Sequence, residues 1–355
     1  MKIGILTFCH TTNYGAALQA YALQQVLASR GHECEIIDYT SSGVVRNHEP
    51  KAVFRRKGIK KLLIPVLYYI YQARNKRFGD FEKQYCAFSE PCDKSTISAV
   101  LKKYDRIVVG SDQVWNVDIT ENDTNFFLEG VPDEKKYSYA ASIGKKYFSE
   151  ESSARYEALV SRFQIISCRE KSTAALLSSA IGREAFNSID PTLLLDNWGI
   201  TIDHPIVGGD YIFMYLTPDS PAFLDKVRSL ARRTKCRIIL LKKGIGWKKD
   251  IKIVNVASPI DFLNYIKYAK YVITGSFHGL CFSLQFKKAF YITESATKDL
   301  SVRLLDLLDM IGCRNRLFEE NYMDPDANPL DYPKIEERIV ASRNESIKVV
   351  ERICT

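Results

Sequence analysis

Residues 2–39 read as strand, loop, helix, strand, and this order constrains the architecture more than any other stretch of the chain. Residues 2–8 are an apolar run, 9–15 are small and polar, and 16–30 carry Leu18, Tyr21, Ala22, Gln25 and Val26 at helical spacing. Gly31 stands where a left-handed glycine ends a helix, and residues 33–39 return to strand character. A strand followed by a crossover helix and a second strand is the unit from which parallel sheets are built.

The pattern continues. An apolar strand at 104–109 opens into Gly110-Ser111-Asp112-Gln113-Val114-Trp115-Asn116, and another at 163–167 runs into Cys168-Arg169-Glu170-Lys171-Ser172 and an Ala- and Leu-rich helix. A parallel sheet is therefore expected for residues 1–195. Residues 190–210 contain Pro191 and Gly208-Gly209 with little helical periodicity, which suits a hinge. A second alternation follows, with strands at 211–216, 237–241 and 271–274 and helices at 222–233 and 259–269. With 355 residues, more than one hydrophobic core is expected. The reading is α/β with two Rossmann-like domains, 1–196 and 205–355, facing a cleft outside the carboxyl ends of their strands.

Composition narrows the function classes. The first six residues lack the charged and long apolar regions of a secretory signal, so a cytoplasmic product is expected. Nine cysteines, odd in number and never spaced as CxxC, point to buried thiols rather than to a disulfide framework or a zinc ribbon. No apolar run reaches the roughly 20 residues needed to cross a bilayer. The net charge of +8 is concentrated: between 51 and 79 there are nine Lys or Arg and no acid, flanking the apolar run 62–71. Such a segment suits an anionic membrane surface, or equally a solvated helix packed by its aromatic face. No nucleic-acid recognition motif accompanies it, and nucleic acid is not expected as a partner. Walker, HExxH, GxSxG and intact GxGxxG motifs are absent.

Four strand-to-loop junctions carry chemistry-bearing residues. Asn13, Tyr14 and Gly15 precede the first helix, where an anion or a sugar hydroxyl could meet backbone N–H groups; plain helix capping by Asn13 is the alternative. Asp112, Gln113, Trp115 and Asn116 combine hydrogen-bonding groups with a flat apolar face, the mixture that carbohydrate sites use; a capping loop is the alternative. Arg169, just beyond a buried strand, could clamp a carboxylate or phosphate, or pair with Glu170 or another neighbour. Finally, Tyr271-Val272-Ile273-Thr274-Gly275-Ser276-Phe277-His278-Gly279-Leu280 places one of five histidines at a strand-to-helix turn, with Lys298 and Arg303 downstream. The positive end of a helix disfavours added positive charge, which suits a histidine that is a neutral acceptor, or an acid gated by a bound ligand. Alone, a histidine in a turn is more often structural.

Taken together these residues resemble the polysaccharide pyruvyl transferase family. The resemblance rests on KIGILTFCHTTNYGAALQAYALQQVLASRGHECEIIDY, VVGSDQVWN, SCREKS, DPTLLL at 190–195, and VITGSFHG followed by Lys298 and LLDLLDMIG. It implies a GT-B-like fold and a reaction in which phosphoenolpyruvate donates pyruvate as a ketal across two hydroxyls of a sugar, in a cell-surface polysaccharide or its lipid-linked precursor, with release of phosphate. The transferase so expected needs no metal or cofactor, and the basic segment 51–77 would hold it peripherally at the cytoplasmic face of the membrane. By position, His278 becomes the general acid or base, Arg169 and Lys298 the donor contacts, and Gly279 and Leu280 sources of backbone N–H groups for the anion. Asn13, Tyr14, Gly15, Asp112, Gln113, Trp115 and Asn116 fall on the acceptor side.

One position departs from the family. Ser276 stands where members often carry Arg, so Arg303 or Lys298 is expected to compensate, or the donor differs. Two other readings stay open: a GT-B glycosyltransferase using a nucleotide sugar, with Glu294 as the acid that would hold a ribose, and a glycan-binding relative without turnover.

Overall fold

The computed structural model describes residues 1–44, 63–144, 148, 153–242, 246, 248–293, 302–318 and 329–355. Lys298, Glu294 and the basic residues from Lys51 to Lys61 lie outside the described residues.

The chain divides into two compact units. The first comprises the described residues of Met1–Glu49, Gly79–Asp196 and Ile339–Thr355; the second comprises those of Pro50–Phe78 and Asn197–Arg338. This changes the expected boundaries at two places. The last 17 residues belong with the first unit, because Val349, Val350 and Ile353 join Ile3, Ile5, Leu23, Leu27 and Val108 in one apolar cluster. The residues up to Phe78 belong with the second, and Arg74 there is buried, donating to the carbonyl oxygens of Lys242 (3.3 Å) and Asn255 (2.5 Å).

The first unit holds a six-stranded sheet of β1 (Lys2–Leu6), β2 (Glu33–Ile36), β3 (Arg106–Asp112), β4 (Lys136–Ala141), β5 (Ser167–Cys168) and β6 (Phe186–Asn187). Its order is β2-β1-β3-β4-β5-β6, and every pairing is parallel. Parallel strands are covered on both faces, which is why Ile107, Val108 and Val109 form a continuous apolar run with no exposure. The strand expected at 163–167 contracts to β5, although Ile165 still bridges to Tyr137.

The second unit holds five parallel strands, β7 (Tyr211–Tyr215), β8 (Arg237–Leu241), β9 (Ile251–Val254), β10 (Tyr271–Thr274) and β11 (Ala289–Ile292), in the order β11-β10-β7-β8-β9. Its helices start where local chemistry dictates. Ser220 caps Pro221–Thr234, and Ser258 with Asp261 forms a reciprocal capping box at Pro259–Lys267, each with proline in the first turn.

Both sheets have a switch point where the direction of winding reverses, between β1 and β3 in the first and between β7 and β10 in the second. Adjacent crossovers leave in opposite directions there, and the carboxyl ends of the two strands open a crevice. No helix among the described residues is long and apolar enough to cross a membrane.

Candidate active site

The loops at the first switch point are those that follow β1 and β3. After β1, Asn13 is extended and its Oδ1 accepts from the N–H groups of Gly15 (3.0 Å) and Ala16 (3.4 Å), so it caps the helix Tyr14–Ala28. Tyr14 is buried in that first turn. After β3, Asp112 sits in the left-handed region at φ 73°, and its Oδ1 accepts from the N–H of Gln113 (2.9 Å). A non-glycine residue held there carries strain on the order of 1–2 kcal/mol, the kind of cost that clusters at functional turns. Asn116 caps the short helix Val117–Thr120 and donates through Nδ2 to Gln113 Oε1 (3.0 Å). Gly144, at φ 73°, passes so close beneath these two side chains that a Cβ would collide with both.

Trp115 does not fit the acceptor role expected of it. The indole is fully buried, donates to the carbonyl of Phe126 (3.0 Å), stacks on Phe127 with centroids 6.0 Å apart and meets Phe163 edge-on. Its flat face serves the core. From sequence, an aromatic residue in a polar loop gives no sign of which way it turns.

Arg169 follows β5 and is buried, with its side chain 3% exposed. Its Nη1 lies 2.8 Å from Asp190 Oδ2, its Nη2 3.5 Å from Asp112 Oδ1 and its Nε 3.8 Å from Glu170 Oε1. Burial works against the guanidinium charge, but the attraction of Asp190, Asp112 and Glu170 outweighs it and raises the pKa above the ordinary arginine value. Three carboxylates lie around this one guanidinium. The guanidinium expected to grip the donor is thus engaged with Asp112 and Asp190 within the first unit. The network extends through Ser111 Oγ, which donates to Asp190 Oδ2 (3.2 Å), and Ser142 Oγ, which donates to Glu170 Oε1 (2.6 Å). Thr7 Oγ1 donates to the Ser111 carbonyl (2.9 Å) and accepts from Gln19 Nε2 (2.9 Å). The ends of β1, β3, β4 and β5 are so tied together. Asp190, read from sequence as the start of a hinge, is a buried member of this network; only its place in the DPTLLL motif hinted otherwise.

At the second switch point, β10 leads through Gly275 into the helix Phe277–Gln285. Thr274 Oγ1 donates to the Tyr215 carbonyl of β7 (2.8 Å) and accepts the Ser276 N–H (3.0 Å), binding the two diverging strands together. Ser276 is the N-cap: its Oγ accepts from the Gly279 N–H (3.2 Å), while the Leu280 N–H goes to the Ser276 carbonyl (3.0 Å). The two N–H groups expected to bind an anion are therefore engaged within the helix, and Ser276 acts on the backbone. His278 is the second helical residue, 6% exposed, its ring edge-on to Phe277 with centroids 5.2 Å apart. Arg303 places its guanidinium carbon 5.7 Å from the centre of the Phe277 ring, so the structure brings His278, Ser276, Gly279 and Arg303 into one neighbourhood.

Sequence reasoning passed over one further cluster. His10, in the left-handed region at φ 53°, directs Nδ1 to Glu82 Oε2 (2.8 Å) and Nε2 to Asp38 Oδ1 (2.8 Å), and its ring stacks on Phe88. The hydrogen bond donated to Glu82 outweighs partial burial and, with the fields of Glu82 and Asp38, raises the imidazole pKa to about 9. Its members are 28 and 72 residues apart, so no local spacing could reveal it.

Comparison with solved structures places these features on a known scaffold. The Staphylococcus aureus MnaA–UDP co-structure aligns with a TM-score of 0.54 at 15% identity, covering 100% of this chain and 95% of that one. The Neisseria meningitidis UDP-GlcNAc 2-epimerase bound to UDP-GlcNAc aligns with a TM-score of 0.55 at 11% identity, covering 100% of both chains. At such identities the likeness speaks for the fold of paired Rossmann-like units. Compared with curated protein sequences, the chain has no significant match. The polysaccharide pyruvyl transferase family model matches residues 13–297, a span that includes the loop after β3 and the turn after β10. The chain belongs to the polysaccharide pyruvyl transferase family.

Proposed function

We propose that the protein transfers pyruvate from phosphoenolpyruvate to a sugar of a cell-surface polysaccharide or its lipid-linked precursor, forming a cyclic ketal and releasing phosphate. The observation that carries the reading is the place of His278: the family match spans it, and it opens the helix beyond β10 at the second switch point.

In this scheme His278 is the general acid and base. Protonating C3 of the enol phosphate leaves positive charge at C2, a sugar hydroxyl adds there and gives up its proton, and the C2–O bond to phosphate breaks as phosphate departs. A second hydroxyl then closes the ketal. A proton donor held in place contributes about 10²–10⁴-fold to such steps. The donor carries a carboxylate and a phosphate, so cations must face it; Arg303 beside Phe277, with Lys298, takes the part expected of an arginine at position 276. Arg169 acts indirectly, by fixing Asp112. Acceptor hydroxyls are assigned to Asp112, Gln113 and Asn116, with Asn13, Tyr14 and Gly15 shaping the adjoining turn. The reaction is written without metal or cofactor. A lipid-linked acceptor agrees with the outward-facing Leu63, Val66, Tyr68 and Tyr69, of which Tyr69 is 73% exposed, and with the exposed Lys76 and Arg77 further along the same stretch of chain.

The test is to incubate the protein with phosphoenolpyruvate and a panel of lipid-linked and synthetic glycosides. Phosphate release that depends on an acceptor supports the proposal. No release with any acceptor, together with binding of a nucleotide sugar such as UDP-GlcNAc, would replace it with a glycosyltransferase reading.

A further inference from the structure

We propose that Cys9, His10 and Asp38 form a binding site for one zinc-class dication at the carboxyl end of β1, with Glu82 orienting the imidazole from behind. The thiol sulfur, an imidazole nitrogen and a carboxylate oxygen of these residues all lie within 4.8 Å of one another. A tetrahedral zinc ion, with bonds of about 2.0–2.3 Å, sets nitrogen and oxygen donors about 3.3 Å apart and sulfur about 3.6 Å from nitrogen. His10 Nε2 and Asp38 Oδ1 are 2.8 Å apart, so that pair opens by about half an ångström to admit the ion.

The surroundings are those of a ligating histidine. His10 Nδ1 lies 2.8 Å from Glu82 Oε2, and Glu82 Oε1 accepts the His10 backbone N–H at 3.0 Å, so one carboxylate fixes both ring and backbone. A ligating imidazole typically donates its second ring N–H to a carboxylate, which sets its tautomer and strengthens it as a ligand. Phe88, stacked at 5.1 Å with planes 25° apart, holds the ring's orientation. Cys9 is buried, whereas the His10 side chain is 44% exposed, so the ion can enter from solvent and keep a fourth position for water. A thiolate with an imidazole selects zinc over magnesium or calcium, which take oxygen donors. On binding, the Cys9 thiol proton and the proton shared between Nε2 and Asp38 leave to solvent, and two anionic donors then meet the dication. None of these residues is assigned to pyruvyl transfer. Metal here fastens β1 and the start of the Thr11–Asn13 turn to β2.

The experiment uses the full chain, stripped with a chelator, titrated calorimetrically with zinc chloride and then, as a spectroscopic probe, with cobalt chloride. The expected result is one zinc per chain and a near-ultraviolet thiolate-to-cobalt charge-transfer band. Cys9→Ser removes the band, His10→Ala and Asp38→Asn abolish stoichiometric zinc binding, and Glu82→Gln weakens it about 10–100-fold. Cys354→Ser, a change at a cysteine remote in sequence, leaves both signals intact. His10→Ala alters a half-exposed ring, so it reports even where the buried Cys9 variant misfolds. Absence of the band in the unaltered protein, or unchanged zinc stoichiometry in His10→Ala, overturns the proposal.

Discussion

Three residues carry most of the account, and each has a distinct signature. Arg169 is paired with three buried carboxylates, and removing one partner of a buried ion pair costs about 3–5 kcal/mol because the remaining charge stays desolvated. Arg169→Met should therefore lower the urea midpoint by an amount corresponding to that range. A loss below about 1 kcal/mol would mean that the carboxylates are not dependent on it. His278→Asn should retain the far-ultraviolet spectrum and melting temperature while turnover falls about 10²–10⁴-fold, as for loss of a general acid; retained turnover would remove His278 from the chemistry. Gly279 has no room for a side chain, since an added Cβ would strike Thr274 Oγ1, itself bonded to the Tyr215 carbonyl. Gly279→Ala should cost about 1–3 kcal/mol by overpacking, read as a shift in denaturation midpoint. From sequence, Ser276 stood out for lacking a guanidinium. In the structure its hydroxyl closes the helix start, so the substitution exchanges a cation for a cap.

Among the elements, those with strong periodicity were legible and those with mixed composition were not. The strands expected at 237–241 and 271–274 match β8 and β10, because parallel strands covered on both faces must be apolar throughout. β4, with the sequence KYSYAA, gave no such signal although all six residues are buried. Its polar groups find partners outside the strand: Tyr139 Oη donates to the Ile189 carbonyl (3.0 Å), and Lys136 pairs with Asp133 in the turn just before it (2.9 Å). The last helix, Tyr332–Cys354, posed a further difficulty. Sequence reasoning did not single it out and left it with the second domain, whereas Ile339–Thr355 belongs to the first unit. Ile353 is fully buried in the cluster around Ile3 and Ile5. Ile353→Ala should destabilise the protein by about 2–5 kcal/mol, with increased hydrogen exchange in β1 rather than in β7 as the diagnostic; the reverse pattern would contradict the assignment.

For the whole molecule, the two reversals of sheet order explain why loops far apart in sequence share one character. The loop after β1 with the loop after β3, and the turn after β10, each lie at a switch point, and these are the stretches whose polar residues drew attention in the sequence. Strand order depends on pairings across a hundred residues and was not readable locally; the loops' composition was. The direction of their side chains was lost for the same reason, which is why Trp115 and Arg169 turned inward against expectation. The central claim concerns the donor, and the most direct measurement is the mass spectrum of an acceptor glycoside after reaction with phosphoenolpyruvate in D2O. Pyruvyl transfer predicts a product heavier by one pyruvate less one water, with one solvent deuterium in the new methyl group from protonation at C3. An unmodified acceptor, with a hexose added instead when a nucleotide sugar is supplied, would contradict it.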